Sequence, residues 1–498
     1  MVTELFDLRP VLAPLVSALC ALGIVLLGHH ERWRIALSLA AAVVKFALVW
    51  SMLPATLSGT VFVFNAGEIL PGLPFAFRVD ALGMFFALVS STLWVLTTIY
   101  AIAYMRGSHA LRRFFGFFAL CISTTVAIAF AENLLTLFIF YELLTLCTYP
   151  LVIHSGTLKA RRAGRRYLAY TLSGGAALLA GMALLYHLTG SLSLSQPGLV
   201  DPATPPKTLL ILFVLLIGGF AVKAAVMPLH AWLPSAMVAP TPVSALLHAV
   251  AVVKAGSFGL LRVIYNVFGV NLLASLGYTA VLAVIAALTI IVASLMALRQ
   301  DVIKLRLAWS TISQLSYIVL AACLLTPLAA LAAVIHIANQ AFAKITLFFV
   351  AGAIEKRTGK TRVSELDGLG QIMPWTMGAC TIACLSFMGV PLLAGFITKW
   401  YLSAGALAAG MPIYVAVMML SALLNATYWL PIIYRAYFKP CPDPSLSREE
   451  PEILLLGPIL ACAAYVVLLG IGAQAPAMPF ALAESAVNFA FGLELSRP

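Results

Sequence analysis

Fourteen apolar runs, each close to the 20 residues a helix needs to cross a bilayer, divide this chain almost end to end. They fall near residues 10–28, 34–53, 80–104, 114–131, 133–152, 167–189, 208–230, 240–265, 274–298, 302–323, 327–354, 374–400, 411–437 and 452–472. Hydrocarbon allows the backbone only closed barrels or helices, because every N–H and C=O must be paired within the protein. Runs of this length select helices. The expected fold is therefore an all-α membrane protein of about 14 transmembrane helices. Composition agrees: 62% of the 498 residues are hydrophobic and 10% are charged, whereas soluble domains are about one-quarter charged. The acidic start, Met1 to Asp7, lacks the basic flank of a cleaved signal peptide, so the first run reads as a retained span. Residues 54–78 are too short to cross twice, and Val61–Phe64 with the Pro71–Pro74 turn predict a small external hairpin. The tail, 473–498, reads as an external amphipathic segment.

A net charge of +12 raises the question of a nucleic-acid partner. The distribution answers it. Of the 30 Lys and Arg residues, 20 lie in the loops after the first, third, fifth, ninth, eleventh and thirteenth spans. Five (Arg9, Arg78, Lys207, Arg262, Arg497) fall on the other side and five (Lys45, Lys223, Lys254, Lys344, Lys399) inside spans. This is the positive-inside bias, which puts those loops in the cytoplasm, both termini outside, and leaves no basic surface for nucleic acid. The eight cysteines are scattered; Cys380 and Cys384 sit one turn apart without a second pair, so no metal site is expected. No GxGxxG, cysteine cluster or haem-spaced histidine pair is present, so no cofactor and no catalytic redox site is expected in this chain.

Gly219-Phe220-Ala221-Val222-Lys223 returns 176 residues later as Gly395-Phe396-Ile397-Thr398-Lys399. Each copy puts a lysine near mid-membrane beside a helix breaker, Pro228 in one case and Pro391 with Gly395 in the other. The copies are five spans apart, an odd number, so they cross in opposite directions. This predicts two inverted five-helix repeats, spans 4–8 and 9–13, with broken helices at spans 7 and 12, the places where transporters of this design hold ions. The corresponding division is 1–113 for spans 1–3 and the hairpin, 114–268 and 269–440 for the repeats, and 441–498 for span 14 and the tail.

An ammonium at the bilayer centre costs about 2.5–3.5 kcal/mol on the insertion scale, so buried lysines mark function by default. Glu142 is the carboxylate placed deep in a span, and Lys223 is its expected partner, as a structural ion pair or as one that controls the lysine's proton. Ser244 and His248 share a face of span 8, with Lys254 six residues beyond; His248 reads equally as a satisfied interior group or a relay member. His336, Gln340 and Lys344 are spaced i, i+4, i+8 and form one polar stripe on span 11, which reads as the wall of a hydrated path. Lys399 ends the series. Four lysines against one acid stay buried only if some amines give up protons part of the time, and an amine that loses a proton can pass one on. Lys45, outside both repeats, reads as snorkelling or locally paired, and His230 as structural. The rival to a proton path is a scaffold whose charges only pack helices; a compact, aromatic-lined solute pocket fits a string of titratable groups less well.

These residues carry a resemblance. Lys223 to Pro234 (KAAVMPLHAWLP), Pro240 to His248 (PTPVSALLH), Val253-Lys254-Ala255-Gly256, Asp80-Ala81-Leu82, Tyr141-Glu142-Leu143 and Ser310 to Tyr317 resemble the antiporter-like subunits shared by Mrp-type cation/proton antiporters, respiratory complex I and membrane-bound hydrogenases. The likeness covers nearly the whole chain. It implies a proton-translocating component of a bacterial or archaeal inner-membrane complex of several chains, with other membrane subunits as partners and protons, with or without Na+, as cargo. It implies that Glu142 and Lys223 are a charge pair, Lys254 the connecting lysine, His336 and Lys344 the stripe, and Lys399 the exit group. The length suits the D-type Mrp protein, whereas the PTPVSALLH run is closer to the large complex I and Mrp subunits. One complex I branch has glutamate where this chain has Lys399, and Gln340 stands where the large subunits often have a second histidine.

Overall fold

The computed structural model describes residues 3–441, 447–473 and 479–493. A short strand β1 (Thr3–Phe6) leads into α1 (Arg9–Leu27) and α2 (Glu31–Leu57), followed by β2 (Thr60–Leu70) and β3 (Leu73–Val79). β2 and β3 form the expected hairpin, and β1 adds a parallel strand that hydropathy does not mark. Then come α3 (Ala81–Tyr104), α4 (Leu111–Ala129), α5 (Leu134–Val152) and α6 (Leu158–Thr189). Next are α7 (Pro206–Lys223), α8 (Trp232–Ser235), α9 (Thr241–Ala245), α10 (Val252–Arg262), α11 (Val270–Leu276) and α12 (Tyr278–Leu298). The chain continues with α13 (Ile303–Cys323), α14 (Pro327–Thr358), α15 (Leu369–Ile372), α16 (Pro374–Met388), α17 (Ala394–Ala408), α18 (Ile413–Phe438), α19 (Ile453–Ile471) and α20 (Pro479–Phe491).

Among the described residues, twelve helical segments are long and apolar enough to cross a membrane. The other two expected spans correspond to α13, whose first turns are basic, and to the interrupted pair α16 and α17. Helix starts are closed where lipid could not solvate them. Asp80 accepts from the Gly83 amide at 2.8 Å, Asn133 from Thr136 at 2.8 Å and Thr157 from Ala160 at 3.2 Å. The centre of the molecule is α14, buried from Ala329 to Ile354, together with the wholly buried 241–268, while α1, α2 and α18 expose Leu, Val and Met side chains outward. In a membrane chain such a face meets lipid tails or other subunits.

Two spans, the sixth and the eighth, differ from the hydropathy reading. α6 begins at Leu158 and not near 167, because the basic run Lys159–Arg166 is helical and simply projects beyond the apolar zone. Span 7 is helical only to Lys223 and span 12 is interrupted at 389–393, both as expected of broken helices. Span 8 is also irregular, which the sequence does not signal: residues Leu246–Val250 and Val263–Phe268 are π-helical, and Ala251 between α10 and the first of these turns sharply (φ −101°, ψ −82°). Of the expected tail, α20 is present and packs on α3 and α14; residues 474–478 and 494–498, with Arg497, lie outside the described residues.

Candidate functional site

The first broken span positions Lys223. Its helix ends at that residue, and Ala225, two positions on, takes a left-handed backbone (φ 54°), which costs a non-glycine residue about 1–2 kcal/mol. The freed backbone is satisfied by a side chain: the buried Trp232 indole N–H donates to the Val222 carbonyl at 2.7 Å. Gly256 of α10 lies against this turn so closely that a Cβ there would sit 2.7 Å from the Lys223 carbonyl carbon, which explains the glycine in Lys254-Ala255-Gly256. Lys223 itself is fully buried.

The expected Glu142–Lys223 ion pair is not closed. The Lys223 ammonium donates to the Tyr141 backbone carbonyl and lies 3.3 Å from the centre of the Tyr141 ring. The Glu142 carboxylate points the other way, onto α6, where a Cβ at Gly175 would be 2.5 Å from its Oε1, and that oxygen has no hydrogen-bond partner among the described residues. Adjacent residues of one helix thus compete for the lysine, and the carbonyl of Tyr141 holds it.

Span 8 carries His248 inside its π-helical stretch and Lys254 after the turn. Both are buried, and neither the His248 ring nitrogens nor Lys254 Nζ has a hydrogen-bond partner among the described residues. His248 rests on the Phe348 ring, with centroids 5.1 Å apart. The regular-helix geometry assumed for Ser244, His248 and Lys254 does not hold, because a π turn rotates everything beyond it. Such insertions are frequent at functional sites.

The stripe of span 11 is present on the unbroken α14. His336 shares a hydrogen bond between Nδ1 and Thr398 Oγ1 (3.1 Å) and stacks on Tyr317. Lys344 donates to Ser310 Oγ (2.8 Å) with its ammonium 4.2 Å from the Phe387 ring centre. Neither amide atom of Gln340 between them has a partner among the described residues. Lys254, Lys344 and Lys399 all lie within electrostatic reach of His336.

The second broken span holds Lys399 one turn into α17. Its ammonium reaches back across the break to the carbonyls of Phe387 and Met388, each at 2.8 Å, the negative end of α16. Leu392 in this break also has a left-handed backbone (φ 70°). Gly395 packs against the Ser386 carbonyl where no Cβ would fit. A cavity of about 10 Å³, room for about one water, is lined by Gln314, His336, Asn339, Gln340, Ser386 and Lys399 among others.

Sequence reasoning missed several partners: Tyr141 for Lys223, Ser310 for Lys344, Thr398 for His336, and the buried Arg262, which pairs with Asp80 at 2.5 Å. Arg262 lies near the end of span 8, as its place within 240–265 implies, but is buried. Lys45 is fully buried, donates to Ser17 at 2.9 Å and faces the Trp94 ring: it pairs locally and does not snorkel. His230 lies in the first break against Trp309.

A family model described as the transmembrane region of NADH:quinone oxidoreductase and the Mrp antiporter matches residues 131–425, and one for the N-terminus of complex I chain 5 matches 71–115. The first covers more than half the chain. The chain belongs to the NADH:quinone oxidoreductase/Mrp antiporter transmembrane family. Relatives within it include the N subunit of the NADH-quinone oxidoreductase of Desulforudis audaxviator, 34% identical over 390 residues, covering 75% of this chain and 77% of that protein. The A/B subunit of a probable K(+)/H(+) antiporter of Rhizobium meliloti is 32% identical over 438 residues (85% of this chain). The A1 subunit of a Na(+)/H(+) antiporter of Staphylococcus aureus is 29% identical over 475 residues (89% of this chain). The match spans 43% and 58% of those two antiporter proteins. Among solved structures, a chain of the Mrp complex from Dietzia superposes with a TM-score of 0.85 at 23% identity, covering 97% of this chain and 99% of that one. A chain of the membrane-bound sulfane sulfur reductase, an archaeal respiratory membrane complex, gives 0.86 at 26% identity over 97% of both. The family is one of multi-pass membrane subunits, and both solved neighbours are parts of larger membrane complexes.

Proposed function

We propose that this chain is the proton-translocating, antiporter-like subunit of a multi-subunit complex in the cell (inner) membrane, most akin to the D-type component of an Mrp-type Na+/proton antiporter, with both termini outside. Protons are taken up from the cytoplasm toward Lys223, pass by Lys254 and the His248 and His336–Lys344 groups, and leave by Lys399. The observation that carries this reading is the chain of buried bases interleaved with unpartnered polar atoms: Lys254 Nζ, both His248 nitrogens, His336 Nε2 and both Gln340 amide atoms. Buried polar atoms in folded proteins are nearly always satisfied, and ordered water is the partner that also conducts protons. The Glu142–Lys223 pair is the gate: with the carboxylate alongside, the proton is held on Lys223, and with the two apart the lysine loses that favourable charge and releases its proton more readily.

The division into inverted repeats at 114–268 and 269–440 belongs to the same proposal. Two interrupted helices five spans apart, each with a non-glycine left-handed residue in its break, support it.

A second reading, the proton-pumping membrane subunit of an NADH:quinone oxidoreductase or energy-converting hydrogenase, is favoured by the relative from the NADH-quinone oxidoreductase of Desulforudis audaxviator. Gentle extraction and mass spectrometry of the intact complex separate the two. Flavin or iron–sulfur partners support the second, and small membrane subunits alone support the first. Proton translocation itself is tested in inverted vesicles by pH-sensitive dye quenching: Lys223→Ala and Lys399→Ala should each abolish it, and near-normal signals from both would refute the path.

A further inference from the structure

Away from the buried bases, the face that carries the basic loops holds a cavity of about 420 Å³ between the start of α6, the turn around α8 and the start of α13. Four cations line it, Lys159, Arg162, Arg166 and Lys304, and no carboxylate does. Lys304 is held by Glu355 at 3.5 Å, whereas Lys159, Arg162 and Arg166 have no ion-pair partner among the described residues. Apart from Ser235, the remaining wall is apolar, with Ala163, Val302 and Leu305. Arg162 and Arg166 are successive exposed positions on one helical face, and the same face continues toward the membrane interior through exposed Ala169, Ser173, Ala176 and Ala180.

Cations over an apolar floor at the end of a span, opening onto an exposed apolar strip, match the two halves of a phospholipid. We propose that this cavity binds the phosphate headgroup of an anionic phospholipid, whose acyl chain lies along the exposed face of α6. Basic pockets between transmembrane helices at this level have that chemistry, and Arg162 and Arg166 offer the forked donors that a phosphate accepts in pairs. A free anion would make no use of the apolar strip. The lipid bridges α6 to α13, elements of the two proposed repeats, and so acts as a wedge at their seam.

The test is native mass spectrometry of the delipidated complex, titrated with phosphatidylglycerol and, separately, phosphatidylcholine. Phosphatidylglycerol should bind with clear preference, and Arg162→Gln/Arg166→Gln should weaken it by about 25-fold, the effect of two basic residues at a membrane surface. Arg162→Lys/Arg166→Lys keeps the charge and loses the paired donors, so it should bind more tightly than the glutamine pair and less tightly than the parent, which separates lost charge from misfolding. Arg32→Gln/Arg112→Gln removes the same charge at exposed positions elsewhere and should leave binding unchanged. Equal binding of phosphatidylcholine, equal losses in the two glutamine pairs, displacement by inorganic phosphate alone, or loss of a partner protein in place of lipid would each overturn the proposal.

Discussion

The two broken helices use the same device to different ends. Both interrupt a span, both hold a non-glycine residue in a left-handed backbone, and both tie a lysine, fully buried in the first and half-buried in the second, to main-chain carbonyls. In the first, the lysine precedes the break and is bound by another helix, at Tyr141 of α5, while Trp232 closes its own helix end. In the second, the lysine follows the break and closes the end of the helix before it, α16, on Phe387 and Met388. The similar motifs Gly-Phe-x-x-Lys therefore sit on opposite sides of their breaks. Lys223 depends on the relative position of α5 and α7, so helix movement can change its partner from carbonyl to the neighbouring Glu142 carboxylate. Lys399 is held within one span and feels such movement far less. That difference is the physical ground for the gate proposed at the first break and the fixed exit group proposed at the second.

The strongest way to break this comparison is to remove each lysine in turn. Lys223→Ala and Lys399→Ala should each slow vesicle proton transport by about a hundredfold, the range typical for loss of a proton-transferring group; a loss confined to one variant would leave only one break on the path. Gln340→Leu keeps the volume and removes the amide between the two ends of the stripe. It should slow transport about tenfold while leaving the unfolding temperature of the detergent-solubilised complex unchanged, and unaltered transport would remove Gln340 from the path. The next comparison concerns stability. Trp232→Phe removes one of the two donors to the buried Val222 carbonyl, which keeps the Ala225 amide at 3.1 Å, and should cost about 1 kcal/mol in thermal or denaturant unfolding. Asn425→Leu removes an amide that donates to Phe387 O at 3.1 Å and accepts from the Tyr428 hydroxyl; the carbonyl keeps Lys399 and the hydroxyl keeps Ser310, so the expected cost is again about 1 kcal/mol. A clearly larger cost at either break would mean that the remaining donor there does not hold the carbonyl. The smallest effect belongs to Tyr141→Phe, whose hydroxyl makes only a long 3.3 Å bond to Gly219 O. About 0.5 kcal/mol of stability and near-normal transport are expected, because the lysine uses the carbonyl that Phe retains.

The sequence shows the membrane fold well because its signal is a transfer property averaged over 20 residues. Nearly every helix end falls within a few residues of its apolar run. The start of α6 is hidden for the same reason, since Arg161 to Arg166 form good helix but poor membrane. The π-helical turn at His248 has no marker in residue type: from Val243 to Ala255 the chain carries neither glycine nor proline. The buried bases are legible one by one, as charges in oil, and the stripe on α14 is legible as spacing. Their partners are not. Every residue has a carbonyl, so nothing in the sequence singles out that of Tyr141, and the Asp80–Arg262 pair joins residues 182 positions apart. Glu142 shows the limit from the other side: a lone acid near a lone lysine suggests an ion pair, and a backbone acceptor one residue away takes the lysine instead.

The central claim is that these buried bases are connected by water. A map of the intact complex at a resolution that shows ordered solvent tests it most directly. The account expects water density bridging Gln340, His336 and Lys399 around the small cavity at the second break, and further density at Lys254 Nζ. A dry interior, with apolar side chains closed around each amine and no solvent between Lys254 and Lys399, would contradict it.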